Sequence, residues 1–244
     1  MLTPETRHLN PPTVILDRPQ MGENIGAVAR AMMNFGMREL RLVNPRDGWP
    51  NPKAHEMSAN ADVIIEAARV YDTFSSALAD CHFVIAATAR KRELEIPTYT
   101  PRESASLLLE KMRDGEKVGI VLGGERAGLA NEDIVHCQAI CTIPTDPANA
   151  SLNIAQSMVI LGYEWWMATL QDAEHSGPEM AHATNGERQA LYEHLVWALD
   201  NSQYFQHEGR ALVMQRNLRS MLARLPLTSQ QIQSLRGMIR ALMS

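Results

Sequence analysis

Hydrophobic and polar positions follow two rhythms along the first 170 residues. Short runs rich in β-branched residues read as strands: "TVILD" (13–17), "ELRLVN" (39–44), "HFVIAAT" (82–88), "VGIVLG" (118–123) and "AICTIP" (139–144), with a weaker one at 68–71. Between them, helical spacing predicts helices at 24–36, 60–67, 73–80, 101–113 and 130–137, then a long one at 151–170. Thr73, Thr100 before Pro101, and Ser151 stand where N-caps belong. Strands alternating with helices predict an α/β domain on a largely parallel sheet, with ligands outside the carboxyl ends of its strands.

The rhythm stops at "QDAEHSGPEMAHATNGE" (171–187), which is polar, rich in turn formers and reads as a linker. Helical stretches resume at 187–202, 208–224 and 228–243, the last capped by Thr228 or Ser229. The expected organisation is a domain over 1–170, a linker over 171–187 and a small all-helical extension over 188–244.

Composition narrows the class. With 45% hydrophobic and 21% charged residues, the 244-residue chain matches ordinary soluble proteins. No apolar run approaches the ~18 residues of a membrane span. "MLTPETRHLNPPT" has neither the basic start nor the apolar segment of a signal peptide, so a cytoplasmic protein without a membrane partner is expected. Cys81, Cys137 and Cys141 make no disulfide framework, and "HCQAIC" lacks the second ligand pair of a zinc site, so no metal is expected. The net charge of −5 is unevenly spread: residues 209–244 hold six arginines and no acid. That tail suits a polyanion partner, or it complements helix C-termini or acidic patches within an oligomer.

Three segments carry candidate chemistry. In "NIGAVARAMMNFGM" (24–37), Ile25, Val28, Met32 and Phe35 form one helical face, which turns Arg30 towards the opposite face with Glu23, Ala27 and Asn34. In "VLGGERAGLANED", a strand runs into Gly123-Gly124, which allows a sharp turn and close backbone approach, with Glu125 next and Gly128 at a second turn. In "IPTDPANASLNIAQ", Ser151 and Asn153 open the long helix. Each alone also reads as ordinary surface, turn or cap.

In that order, the "NxGxxxR" helix, "GxExxGL" loop and "SLN" helix start resemble the SpoU-type RNA ribose 2′-O-methyltransferases of the SPOUT superfamily, over residues 13–170. "NLRSMLARLPLTSQQIQSLRGMIRAL" resembles the helical extension of their TrmJ-type tRNA branch, which methylates the ribose at position 32 of the anticodon loop. The resemblance implies a SPOUT-type parallel sheet flanked by helices, with a C-terminal trefoil knot holding S-adenosylmethionine. It implies cofactor loops at Ala87, Thr88 and Ala89, at Gly123, at Ile143, and at Ala150, Ser151 and Leu152. Asn24, Arg30, Glu125, Ser151 and Asn153 match the family's catalytic-motif positions. Gly124 stands where relatives often carry proline or arginine, so no side-chain role passes to it. A homodimer acting on tRNA is implied as well.

An arginine stays protonated at ordinary pH, so the expected role of Arg30 is to grip a phosphate and stabilise charge developing on a ribose hydroxyl. Arg90 and Arg92 at a strand end, and Arg216 and Arg219 in the basic tail, are candidate RNA contacts. Three alternatives stay open: ribosomal RNA or another tRNA position as substrate, a non-catalytic RNA-binding protein on this scaffold, and a metabolic α/β enzyme using the Gly123-Gly124 turn for a nucleotide.

Overall fold

Every residue of "TVILD" is buried in β1 (Thr13–Asp17), the centre from which the sheet grows in both directions. The computed structural model describes residues 11–90, 95–171, 182–202, 204–205 and 208–243. On one side β1 pairs with β2 (Leu40–Val43), which pairs with β3 (Arg69–Tyr71). On the other side β6 (Val118–Gly123), β4 (Phe83–Ala87), β7 (Ala139–Cys141) and β5 (Thr98–Tyr99) follow in that spatial order. All pairings are parallel. A parallel sheet needs helices on both faces, and side chains of one strand alternate between them. Val14 and Leu16 accordingly join a core with α1 (Gly22–Asn34), α5 (Pro101–Arg113) and α7 (Ile154–Gln171). Ile15 joins the opposite core with α4 (Phe74–Leu78) and α6 (Asn131–Ile134). Cys141 lies in the first core, Cys81 and Cys137 in the second, all as buried free thiols.

Several local expectations hold. Ile25, Val28 and Met32 are buried on α1, while Arg30 and Asn34 are exposed. Thr73 caps α4, and Thr100 caps α5 in a reciprocal box with Glu103. Others need correction. Helix α7 begins at Ile154, and Ser151 is not its cap. Asn153 takes that role: its side chain accepts from the Ala155 N–H at 2.8 Å, while Gln156 accepts from the Asn153 N–H at 3.3 Å. The prolines of "PTDPANA" hold the preceding chain in a short 3-10 turn, Pro147–Asn149, capped by Asp146. β7 stops at Cys141 rather than Pro144. Two elements escape the sequence pattern: the two-residue β5, and α2 (Pro52–Ser58), whose Asn51 cap and Pro52 start were visible cues in a polar stretch. Helix α3 (Asp62–Ala67) completes this half.

Residues 172–181 of the expected linker lie outside the described residues. From residue 182 the chain is already packed: Thr184 caps α8 (Asn185–Asn201) in a box with Glu187. α8, α9 (Glu208–Arg224) and α10 (Ser229–Leu242, capped by Thr228) share a small core around Leu191, Leu222 and Ile232. The group docks against the amino-terminal ends of the strands. Asn185 and Gly186 N–H donate to Cys81 and Ala79 carbonyls at 2.7 and 2.8 Å, and Arg188 donates to the His82 carbonyl at 2.7 Å. Buried Gln138 joins the layers: its oxygen accepts from Val84 N–H at 2.7 Å, and its amide donates to Asn185 at 2.8 Å and to the Ala223 carbonyl at 2.9 Å.

Replacing Gln138 by leucine keeps the volume but strands these buried partners, and an unmade buried hydrogen bond costs about 1–3 kcal/mol. Gln138→Leu is expected to lower unfolding free energy by about 2–3 kcal/mol in urea titration. A change under about 0.5 kcal/mol would show that the layers do not depend on this amide.

Candidate active site

The site forms where four neighbouring strands end. β1, β6, β4 and β7 stop together at Asp17, Gly123, Ala87 and Cys141, so the loops that leave them converge at the carboxyl edge of the sheet. The loop after β6 is closed by an antiparallel bridge between Gly124 and Gly128, with Gly128 N–H donating to the Gly124 carbonyl at 2.8 Å. Only glycine fits at its base. A β-carbon on Gly123 would lie 2.3 Å from the Gly128 backbone, and one on Gly124 would lie 2.2 Å from the Arg18 carbonyl oxygen. This packing explains both glycines without a side-chain role.

The tight turn presents Glu125 to the chain that joins β1 to α1. Its carboxylate accepts from Gln20 N–H at 2.8 Å, Met21 N–H at 3.3 Å and the Asn24 amide at 2.7 Å. The Asn24 carbonyl oxygen in turn accepts from the Asn153 amide at 3.0 Å. The donor and acceptor halves of Asn24 are thus both used, and the chain Glu125–Asn24–Asn153 ties all three motif segments together. Glu125 and Asn153 belong to loops at opposite sides of α1's start. Neither motif pattern nor helical spacing shows that contact.

Beside this chain lies an open cleft. Its walls include Ala87, Thr88 and Ala89, Gly123, Ile143, and Ala150, Ser151 and Leu152, all eight residues of the expected cofactor loops. Leu122, Leu129 and Ile154 add apolar wall, and Ser157, Arg90 and Arg126 add polar groups. Thr88 is held against β7, its N–H donating to the Cys141 carbonyl at 3.0 Å and its carbonyl accepting from the Thr142 hydroxyl at 3.0 Å. Apolar walls suit a flat base, and the polar, cationic mouth suits a charged amino-acid end. The residues present therefore fit a nucleoside-linked sulfonium cofactor. Arg126 and Ser157 were not sequence candidates; the position of Arg126 directly after Glu125 was the available signal.

Other candidates are placed differently. Arg30 is exposed on α1, six residues beyond Asn24, or about 9 Å along the axis, and it does not line the cleft. It makes no ion pair with another described residue. Arg90 lines the cleft, whereas Arg92 lies outside the described residues. Arg216 and Arg219 are engaged by groups of this chain, Arg216 at the surface and Arg219 partly buried. Arg216 pairs with Glu132 at 2.6 Å; Arg219 sits 4.3 Å above the Tyr192 ring and donates to His136. Burial, with Arg219 beside it, pushes the His136 pKa down to about 3, so the ring stays neutral and accepts that bond. Arg216 thus links α9 to α6, and Arg219 links it to α8 and to His136 beyond α6. Among the tail arginines whose side chains are described, Arg236 and Arg240 on α10 are the exposed ones.

Comparison with known proteins agrees with this geometry. The profile described as SpoU rRNA Methylase family matches residues 11–163. A Pseudomonas aeruginosa protein named tRNA (cytidine/uridine/adenosine-2'-O-)-methyltransferase TrmJ is 37% identical over 201 residues, covering 82% of this chain and 76% of that protein. The crystal structure of TrmJ from Z. mobilis ZM4 superposes with a TM-score of 0.87 at 40% identity, covering 96% of this chain and 100% of that one. The SpoU methyltransferase AviRb from Streptomyces viridochromogenes, solved with AdoMet, shares the fold at 17% identity and a TM-score of 0.52. With motif segments, sheet order and cleft in agreement, the chain belongs to the SpoU rRNA Methylase family, alongside proteins named TrmJ.

Proposed function

We propose that this protein transfers a methyl group from S-adenosylmethionine to the 2′-hydroxyl of a tRNA ribose, at position 32 of the anticodon loop. The observation that carries the reading is the Glu125–Asn24–Asn153 chain beside a cleft lined by all eight expected cofactor residues. The similarity to proteins named TrmJ supports tRNA as the substrate, and the resemblance of the C-terminal helices supports position 32.

When bound, S-adenosylmethionine supplies an activated methyl on a sulfonium centre. This chain supplies position and charge. Ala87 to Ala89, Gly123, Ile143 and Ala150 to Leu152 would hold the cofactor. Glu125 keeps the β1–α1 connection against the cleft loop, and Asn153 caps α7 while orienting Asn24. The Arg30 guanidinium grips an RNA phosphate in a fork and stabilises negative charge as the ribose hydroxyl loses its proton.

Arg30 stands off the cleft, so the reading includes a homodimer in which a second copy completes the site. Val159, Tyr163 and Leu170 expose an apolar face on α7, which packs against α1. The trefoil knot belongs to the same proposal. It is supported by the placement of β7 between β4 and β5, followed by the return of α7 onto the α1 and α5 side. No helix among the described residues is long and apolar enough to cross a membrane, consistent with the cytoplasmic location proposed here.

The test is transfer of labelled methyl to tRNA lacking anticodon-loop ribose methylation, with the modified nucleotide mapped. Label is expected at ribose 32. Label confined to ribosomal RNA or to another tRNA position would replace the substrate, and no label on any RNA would overturn the activity.

Arg30→Ala is expected to lower kcat at least ~100-fold with cofactor affinity within about twofold of wild type, the signature of a group acting on the transition state. An Arg30→Lys enzyme with near-normal turnover would argue against the two-pronged grip.

Asn153→Asp separates capping from coupling. Aspartate caps as well as asparagine but has no amide to donate to Asn24. Unfolding midpoints should stay within a few degrees while kcat/KM falls about tenfold or more. Unchanged kcat/KM would remove Asn153 from the positioning chain.

A further inference from the structure

β1 ends in an ionic cluster, buried at Asp17 and open to solvent at Arg18, that the proposed chemistry does not use. Asp17, the last residue of β1, is 1% exposed and lies in register with Gly123 of β6. Arg18 follows with a φ of +48°, a left-handed geometry unfavourable for a residue with a β-carbon. Its carbonyl oxygen is the atom against which Gly124 packs, so the cleft loop rests directly on the Arg18 peptide. Its side chain then turns to two carboxylates. The guanidinium donates to Asp17 at 2.6 Å and also to Asp133 on α6. Asp133 lies just beyond the point where the cleft loop enters α6. One residue therefore touches the loop at its departure from β6 and again past its exit.

We propose that Arg18 is a positioning residue for the methyl-donor cleft: its guanidinium holds Asp17 and Asp133 together, and so fixes the 123–130 loop against the end of β1. The proposal rests on reading the cleft as the S-adenosylmethionine site. Without that charge, the Asp17 and Asp133 carboxylates would face each other with no cation between them. Asp17 is fixed in the central strand, so the short α6 and the loop before it would move away. Gly123, Gly128 and Leu129 of the cleft wall lie on that segment.

Protonation offers an independent handle. The charged groups facing Asp17 are Arg18 from its own loop and Asp133 from α6, and the buried Cys137 thiol beyond α6 lies within its field. Burial, and then Asp133, push the Asp17 pKa up to about 6, with Arg18 opposing. The sign follows. The contribution of Asp17 to stability is present at low pH and is lost as pH rises through about 6, because the charged form is the disfavoured one. Removing Arg18 raises that pKa further, so acidification neutralises Asp17 and relieves the repulsion.

The experiment is calorimetric titration of S-adenosylmethionine into the full-length wild type, Arg18→Met, Asp133→Asn and the double variant, at pH 8 and pH 6. At pH 8, Arg18→Met should bind about tenfold more weakly; Asp133→Asn, whose amide oxygen can still accept from Arg18, and the double variant, which has no facing carboxylate pair, should stay within about threefold of wild type. At pH 6, Arg18→Met should recover most of its loss, and wild type should change by no more than about twofold. Rescue by the second substitution and by acid distinguishes charge balance from lost packing, since lost packing responds to neither. An Arg18→Met variant that binds as wild type, or a double variant as weak as Arg18→Met, would overturn the proposal. Wild-type protein that binds no S-adenosylmethionine would overturn the cofactor reading, and this inference with it.

Discussion

One carboxylate organises the site. Glu125 accepts two backbone N–H groups and one amide from the segment that starts α1. Gln20 and Met21 belong to the connection between β1 and α1, whose N–H groups have no partner within the helix, and Asn24 lies in the first turn of α1. A carboxylate is the suitable acceptor because its oxygens take several donors at once. In satisfying them it brings the 123–128 turn against the β1–α1 connection. Asn24 then passes the constraint to Asn153 and the start of α7. The cleft wall and α1, which carries Arg30, share one frame for this reason.

The two ends of the sheet do different work. At the carboxyl edge, strand ends stop together and leave a cleft. At the amino edge, buried Gln138 and the start of α8 seal the strands to the helical extension. Tail arginines that look like an electropositive arm in sequence are partly absorbed by this seal. Arg216 and Arg219 meet Glu132, Tyr192 and His136, and Arg224 donates to the Glu95 carbonyl. A charge count along a chain records how many arginines there are but not which of them face inward. Among the described side chains, that leaves Arg236 and Arg240 as the exposed arginines of the basic tail.

The strand ends also show how local strain and charge serve a ligand site. Arg18 adopts a left-handed backbone where β1 turns out of the sheet, and Gly124 yields its side chain to let the two loops touch. The buried Asp17 beside them is tolerated because a guanidinium lies against it.

Much of this protein was legible in its sequence. Strand and helix alternation, the apolar stripe of α1, the caps at Thr73, Thr100 and Thr228, and the order of the three motif segments come from local pattern. Each depends on neighbours within a few residues, and there periodicity and capping chemistry are strong. The two-residue β5 and the short α2 offered too few repeats to stand out. Ser151 looked like a cap because its residue type fits, yet the prolines before it hold the chain in a 3-10 turn and pass the cap to Asn153. Tertiary structure alone decided the rest. It joined Glu125 to Asn24 over 101 residues and Asn24 to Asn153 over 129, and it paired Arg216 with Glu132 and set Arg219 over Tyr192. It also set the Arg18 bridge between Asp17 and Asp133. These contacts arise from parallel strands ending at one edge, a register set by burial of both sheet faces, and no local pattern of residues encodes that meeting.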